Sequence, residues 1–237
     1  MTEFVRFPRT PHLVWLGASQ PRDDKVMSPA DAAAFLGDEV AIEEKLDGAN
    51  VGISLGPDDS LRVQNRGEFI AWDSAHPQFG PLRQWLSVHR YPLLESLTPE
   101  LILFGEWCYA AHSIQYTRLP DWFIAFDVYD RAAERFWSIE RRDRLVARAG
   151  IAAVPMLARG RFDVDGVAGW LGPSQFAEGP AEGVYVRRDR GVYLEQRAKL
   201  VRAEFAQAIG EHWSRAAIRP NRLAAASRFP LQPAADQ

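Results

Sequence analysis

Short apolar runs separated by turn residues dominate this chain, and most of them carry a carboxylate at or near one end. Leu101 to Phe104 leads into Gly105-Glu106, Trp122 to Tyr129 contains Asp127, and Glu182 precedes Gly183 to Val186. Val40 to Glu44, Val51 to Leu55, Val192 to Leu194 and the run Arg197-Ala198-Lys199-Leu200-Val201-Arg202 read as further strands. Strands interspersed with a few helices, without a strict βαβ repeat, predict a mixed α/β or α+β domain, and there is no internal repeat. A buried carboxylate is costly unless it is paired or bound to a metal. Each strand acid is therefore either a satisfied structural group or part of a site.

The helices announce themselves by their ends. Ser28-Pro29-Ala30-Asp31 supplies an N-cap, a first-turn proline and a first-turn acid, and Gly37 closes that helix. Pro81 to Val88 and Ser138 to Ala149 predict two more, the latter stopped by Gly150, and Glu204 to Arg215 places Phe205, Ile209 and Trp213 on one stripe.

With 47% hydrophobic residues in 237, the chain can bury a substantial core as one domain, or as one domain with a small appendage. Its single cysteine, Cys108, excludes an intramolecular disulfide framework and a cysteine-based zinc site, and reads as a small core residue. The N-terminus lacks the apolar stretch of a signal peptide, and no run approaches the roughly 18 apolar residues of a membrane span. The expected location is cytoplasmic, with no membrane partner. A net charge of −3 and a pI near 6.0 do not advertise a nucleic-acid binder. Yet from Tyr185 to Arg228 there are ten Lys/Arg against four Asp/Glu, a segment that could neutralise phosphates or form a solvated helix face.

Only Lys25, Lys45 and Lys199 are lysines in a chain that otherwise writes its cations as arginine. Arginine stays protonated and cannot attack an electrophile at neutral pH, whereas a lysine amine can be deprotonated by its surroundings. Lys45 sits in Glu44-Lys45-Leu46-Asp47-Gly48, between two strands and before a turn, which places it near a predicted hairpin end where functional side chains are commonly presented. A leftover surface charge would read the same way in isolation.

The ordered set of motifs goes further. Lys45-Leu46-Asp47-Gly48, Asn65-Arg66-Gly67, Phe104-Gly105-Glu106, an aromatic strand ending Phe126-Asp127, Glu182-Gly183-Val184 and Arg197-Ala198-Lys199 follow one another from about Ile42 to Val201. Together they resemble the covalent nucleotidyltransferase superfamily of polynucleotide ligases and mRNA-capping enzymes. Asn50, five residues past the lysine, the leader Phe7-Pro8-Arg9-Thr10-Pro11-His12-Leu13, and the stretch from Trp107 through His112-Ser113-Ile114 are most similar to the ATP-dependent RNA ligases.

The resemblance implies an α+β, ATP-grasp-like nucleotidyltransferase domain: two antiparallel β-sheets with flanking helices and ATP in the groove between them. It implies residues 1–202 as the catalytic domain and 203–237 as a short helical tail, with too few residues for an OB domain. Lys45 would attack the α-phosphorus of ATP to form lysyl-AMP, the adenylate would pass to a 5′-phosphate, and a 3′-hydroxyl would then displace AMP. Glu44 and Phe126 would frame adenine, Glu106 would contact ribose, Arg66 and Asn50 would reach phosphate or metal-bound water, and Lys199 would hold the α-phosphate. Glu182 would bind Mg2+ or Mn2+, directly or through water. Arg197 stands where many relatives carry lysine, which exchanges a point charge for a planar fork. Because a free lysine of pKa ~10.4 is neutral in only about one molecule in a few thousand at pH 7, the site must lower that pKa or supply cations. The implied substrate is RNA with nicked or broken ends, extending to RNA/DNA hybrid, with an end-healing kinase or phosphatase as a logical partner in RNA repair. A DNA nick sealer, a guanylyltransferase and a non-catalytic nucleotide- or RNA-binding module are the competing readings. Arg9, His12 and His112 are left without a role.

Overall fold

The computed structural model describes residues 3–18, 25–208 and 218–225. In chain order the elements are α1 (Pro29–Leu36), β1 (Val40–Lys45), β2 (Ala49–Leu55), β3 (Leu61–Gln64), a 3-10 turn (Pro77–Phe79), α2 (Leu82–Ser96), β4 (Leu101–Trp107), β5 (Phe123–Asp130), β6 (Arg135–Phe136), α3 (Ile139–Arg148), β7 (Ala152–Ala153), β8 (Met156–Gly160), α4 (Val164–Ala168), β9 (Gly183–Arg190), β10 (Tyr193–Val201) and α5 (Ala203–Ala208). One sheet runs β10-β9-β1-β8, antiparallel throughout. The other runs β3-β2-β4-β5-β6, also antiparallel, with β7 added parallel to β5. This is the expected α+β arrangement of two antiparallel sheets with flanking helices.

Local chemistry accounts for the helix ends. Ser28 accepts from the Asp31 amide and Ser138 from the Arg141 amide, and Gly150 leaves α3 at φ 65°, a conformation glycine adopts without strain. Helix α2 runs further than the sequence predicts, to Ser96. Its buried stripe of Leu82, Trp85, Leu86, His89 and Leu93 continues at helical spacing across Pro92, and that packing outweighs the one backbone bond a proline removes. The predicted helix of Glu204 to Arg215 is α5 over Ala203–Ala208, where Phe205 packs on the second sheet's core; Ile209 and Trp213 lie outside the described residues. Strands β3, β6, β7 and β8 are too short or too evenly half-exposed to show as apolar runs.

The expected hairpin of β1 and β2 does not form. β1 pairs with β8 and β9, whereas β2 pairs with β3 and β4, so Leu46-Asp47-Gly48 is a crossing between the two sheets. Leu46 is buried in the second sheet's core, and Gly48 lies so close to β4 that a Cβ there would come 2.7 Å from the Trp107 carbonyl oxygen. These contacts pull the chain out of the first sheet immediately after Lys45.

Alternation along the first sheet sorts its side chains. Val40, Ile42, Val184, Val186, Ala198 and Leu200 face α1, α4 and Leu13 in one core, while Glu43, Tyr185, Arg187 and Arg197 point toward the second sheet. The leader runs beside β10: the Lys199 amide donates to the Pro11 carbonyl and the Leu13 amide to the Lys199 carbonyl. A larger core joins the second sheet to α2 and α3 and encloses Cys108. Phe7 packs with Ile102 and Phe104 in a third cluster. Among the described residues no helix is long and apolar enough to cross a membrane.

Candidate active site

Where the inward faces of the two sheets meet lies a narrow cleft lined by Glu44, Glu106, Phe126 and Tyr185, with the buried Glu43, Asp127 and Arg187 and the side chain of Arg197 at its base. β1 supplies Glu44, β4 supplies Glu106, β5 supplies Phe126, and β9 and β10 supply Tyr185 and Arg197.

Lys45 ends β1 opposite Gly183, with its Nζ 2.6 Å from Glu182 Oε2; both side chains keep some access to solvent, at 18% and 15%. Burial alone would lower the pKa of this ammonium, but the Glu182 carboxylate, with Tyr185 and Glu106, raises it above its ordinary value. These surroundings do not lower the pKa of the amine, which leaves the other expected route, supplied cations. Burial raises the Glu182 pKa against the opposing pull of Lys45, and Lys199 adds to that pull. Burial likewise pushes Glu106 up to about 8, with Lys45 opposing and Glu182 adding repulsion, although Glu106 Oε1 accepts from the Gly48 amide at 3.0 Å. Two carboxylates crowd one lysine here. The site carries an acid surplus that an incoming cation would relieve.

Asn50 faces Glu106 across the β2–β4 register, and its Oδ1 is buried without a hydrogen-bond partner. Glu44 is fixed from the other side: Ser174 Oγ donates to Oε1 at 2.6 Å and the Gln175 amide to Oε2 at 2.9 Å, while burial raises its pKa. Each oxygen retains a lone pair, so Glu44 can still accept from a ligand in the cleft. Phe126 is half-buried, with the edge of Phe7 against it at 5.2 Å, and its carbonyl accepts from Arg142 at 2.8 Å and from Arg187 at 2.9 Å.

Arg197 lines the cleft, with Nη1 donating to Asp127 and its guanidinium over the rings of Phe7 and Phe136 at 4.5 and 4.2 Å. Arg66 is exposed in the loop after β3 and does not line the cleft; its carbonyl accepts from Arg6 at 3.2 Å. Lys199 pairs with Tyr185 across β9 and β10, within electrostatic reach of Glu182. His12 is buried against Trp15, and His112 sits between Gln78 and Asp47.

Sequence reasoning missed Tyr185, Ser174 and the ion network of Glu43, Arg142 and Arg187. Tyr185 was findable, since alternation with the apolar Val184 and Val186 turns it to the opposite face of the strand. Ser174 lies in an irregular segment whose approach to Glu44 has no local signal.

Among the described residues no cluster of three His, Cys, Asp or Glu side chains could hold a metal by itself. Magnesium does not need one, since it keeps several waters and takes one or two carboxylates plus substrate phosphates. Glu182 and the unpartnered Asn50 oxygen fit that mode.

A two-sheet α+β domain whose lysine at the sheet crossing is flanked by two cleft-lining residues, Glu44 and Leu46, fits the nucleotidyltransferase class. The chain belongs to the RNA ligase family, whose model matches residues 38–201. The motif resemblance is thereby borne out. Solved structures of Naegleria gruberi RNA ligase share the fold: the complex with pyrophosphate at TM-score 0.59 and 19% identity, covering 87% of this chain and 61% of that one. A lysine-to-methionine variant with AMP and manganese matches at TM-score 0.58 and 19% identity, covering 85% and 63%. A glutamate-to-alanine variant with AMP and manganese matches at 0.56 and 20%, covering 73% and 52%. The chain therefore spans less than two thirds of these relatives. A comparison with functionally curated proteins finds no match.

Proposed function

We propose that this chain is an ATP-dependent RNA ligase that joins 3′-hydroxyl and 5′-phosphate ends in RNA repair. The observation that carries the reading is the position of Lys45: a lysine at the crossing between two sheets, 2.6 Å from a carboxylate, between the cleft-lining residues Glu44 and Leu46 and within electrostatic reach of the cleft-lining Glu106.

Lys45 attacks the α-phosphorus of ATP, forming an N–P bond as the bond to pyrophosphate breaks, so that AMP is left on the lysine. The 5′-phosphate of an RNA strand then displaces Lys45 to form an adenylated end, and a 3′-hydroxyl displaces AMP to form the phosphodiester. Phe126 stacks on the purine and Glu44 accepts from a base amine or ribose hydroxyl. Glu106 contacts the ribose, and Lys199 balances charge on the α-phosphate. Glu182 aims the amine before attack and, with the Asn50 oxygen through water, would hold Mg2+ or Mn2+. A divalent cation there neutralises the triphosphate and charge on the leaving group. A cation held by Glu182 would offset the charge that keeps Lys45 protonated, so that the amine could release its proton to solvent before attack. Arg197 is assigned to fixing Asp127 and the aromatic base of the cleft, and Arg66 to a contact outside it. Naegleria gruberi RNA ligase has been solved with AMP, with ATP and manganese, and with pyrophosphate, which supports this nucleotide chemistry for a chain of the same fold.

The test is label from α-labelled ATP surviving denaturation on the wild-type protein with magnesium, after removal of pre-bound AMP with pyrophosphate. A parallel reaction uses labelled GTP, and nicked RNA, DNA and hybrid duplexes serve as acceptors. An adduct with ATP alone and sealing of RNA ends are expected. An adduct with GTP would make the chain a guanylyltransferase, sealing of DNA alone would make it a DNA ligase, and no adduct with either nucleotide would leave a binding module.

A further inference from the structure

The crossing that carries Lys45 out of the first sheet is held by a segment without regular secondary structure. The Asp47 amide donates to Tyr116 Oη at 2.7 Å, and Asp47 Oδ2 accepts from the Ser113 and Ile114 amides at 2.6 and 3.1 Å. These three bonds to Asp47 all come from residues 108–119. That stretch has no ladder of its own between β4 and β5.

Its order comes from far along the chain. Asn221, 3% exposed, donates from Nδ2 to the Cys108 carbonyl at 2.8 Å, and its Oδ1 accepts from the Tyr116 amide at 2.8 Å and from Gln115 Nε2 at 3.1 Å. Its own amide donates to the Tyr109 carbonyl at 2.8 Å, and the flanking Arg222 amide donates to the Tyr116 carbonyl at 2.9 Å. One side chain thus ties the two ends of the loop, Cys108 and Tyr116, and the second of these carries the hydroxyl that receives the Asp47 amide. Asparagine suits the place because the same amide group must donate on one side and accept on the other. Aspartate has the length but no donor, and alanine leaves a buried N–H and C=O unpaired.

We propose that Asn221 is a positioning residue for Lys45: it locks the 108–119 loop, and through Tyr116 and Asp47 it sets where the amine stands relative to the cleft. Resting on the ligase reading above, this adds a residue outside the family-matched region, in the stretch expected to be a short tail. Asn221 does not line the cleft, and Phe126 is held by Arg142 and Arg187, whereas Glu44 is bonded by Ser174 and the Gln175 amide, a segment that Arg118 of the same loop also contacts. Loss of Asn221 should therefore displace the nucleophile more than it weakens nucleotide binding, and misplacement by about an ångström can cost on the order of 100-fold in rate.

The experiment compares Asn221→Ala, Tyr116→Phe and the double variant in the full chain, following adduct formation from ATP in a single turnover and the exchange of the Leu46–Gly48 amides with solvent. Either single variant should slow adenylylation at saturating ATP by roughly 10- to 100-fold, with the KM for ATP within about two-fold of wild type for Tyr116→Phe, which leaves the loop's other ties in place, and rising by less than the rate falls for Asn221→Ala. Amide protection should fall at Asp47. Because the two residues act in series, the double variant should lose less than the product of the single losses. Tyr116→Phe removes one hydroxyl and keeps the ring, so it serves if Asn221→Ala does not fold. The proposal is overturned if Tyr116→Phe adenylylates at the wild-type rate, if the losses multiply, or if the KM rises as much as the rate falls. Amide exchange reads the positioning without turnover: unchanged protection overturns this inference alone, whereas an inactive wild type overturns the ligase reading.

Discussion

The two ends of the cleft are built from different interactions. At the base end, charges are buried and paired: Arg142 meets Glu43 at 2.7 Å, Arg187 meets Asp127 at 2.6 Å, and Arg197 meets the other oxygen of Asp127. Both Arg142 and Arg187 also donate to the Phe126 carbonyl, so a helix and a strand of the first sheet converge on one residue of the second. At the nucleophile end, one ammonium faces several raised carboxylates, an amide oxygen lacks a partner, and the supporting loop depends on hydrogen bonds from the C-terminal segment. The base end has its charges paired without ligand, although Arg187 Nε lacks a hydrogen-bond partner. The nucleophile end keeps its acid surplus and its unpartnered amide oxygen, and on the proposed reading this is where a cation and phosphates would be admitted.

Lys45→Ala gives the largest effect, complete loss of the covalent adduct, yet ATP affinity measured by calorimetry should stay within a few-fold because the base end is untouched. A collapse of affinity would mean that the ends are not separable. Arg142→Ala breaks the base end instead. Removing one partner of a buried pair costs about 3–5 kcal/mol, because Glu43 loses its short partner and keeps only Arg187 at 3.9 Å. Urea unfolding should report that loss, and a change under about 1 kcal/mol would show that water or Arg187 replaces the guanidinium.

How much of this was legible in the sequence follows the same division. The strands that line the cleft are apolar runs with an acid at a fixed place, so the order of motifs along the chain is enough to group Lys45, Glu44, Glu106, Phe126 and Glu182, and the fold does bring these five together. Alternation and turn residues are local signals, and these positions lie on strands or at their ends. What was hidden is non-local. The crossing of Lys45 between sheets looked like a hairpin because Asp47-Gly48 is a turn signal either way; only the Ser113 and Ile114 amides decide it. Arg197 reads as a phosphate ligand in the sequence, where its neighbour across the cleft, Asp127, 70 residues away in the chain, is not visible. Asn221 carries no signal at all, since its partners lie over 100 residues upstream.

Phe126→Ala sharpens the contrast from the other side. Loss of a stacking ring is worth about 1–3 kcal/mol per base, so the KM for ATP should rise roughly 5- to 150-fold with a smaller change in the adenylylation rate. An unchanged KM would hand the stacking role to Tyr185, the other ring lining the cleft.

The smallest effect expected is a pH dependence of stability. Burial raises Glu106 to about 8 in the fold from an ordinary 4.5, so between those values the native state binds more protons than the unfolded chain. Stability from this group is present below the unfolded value and is lost as pH rises through about 8. The melting temperature of the wild type without nucleotide or metal should therefore carry a downward slope from about pH 5 to about pH 8. Glu106→Gln keeps the shape and removes the titration, so its profile should be flatter by a few degrees over that range. Parallel profiles would mean that Lys45 keeps Glu106 ionised throughout, and the nucleophile end would then be as fully paired as the base end.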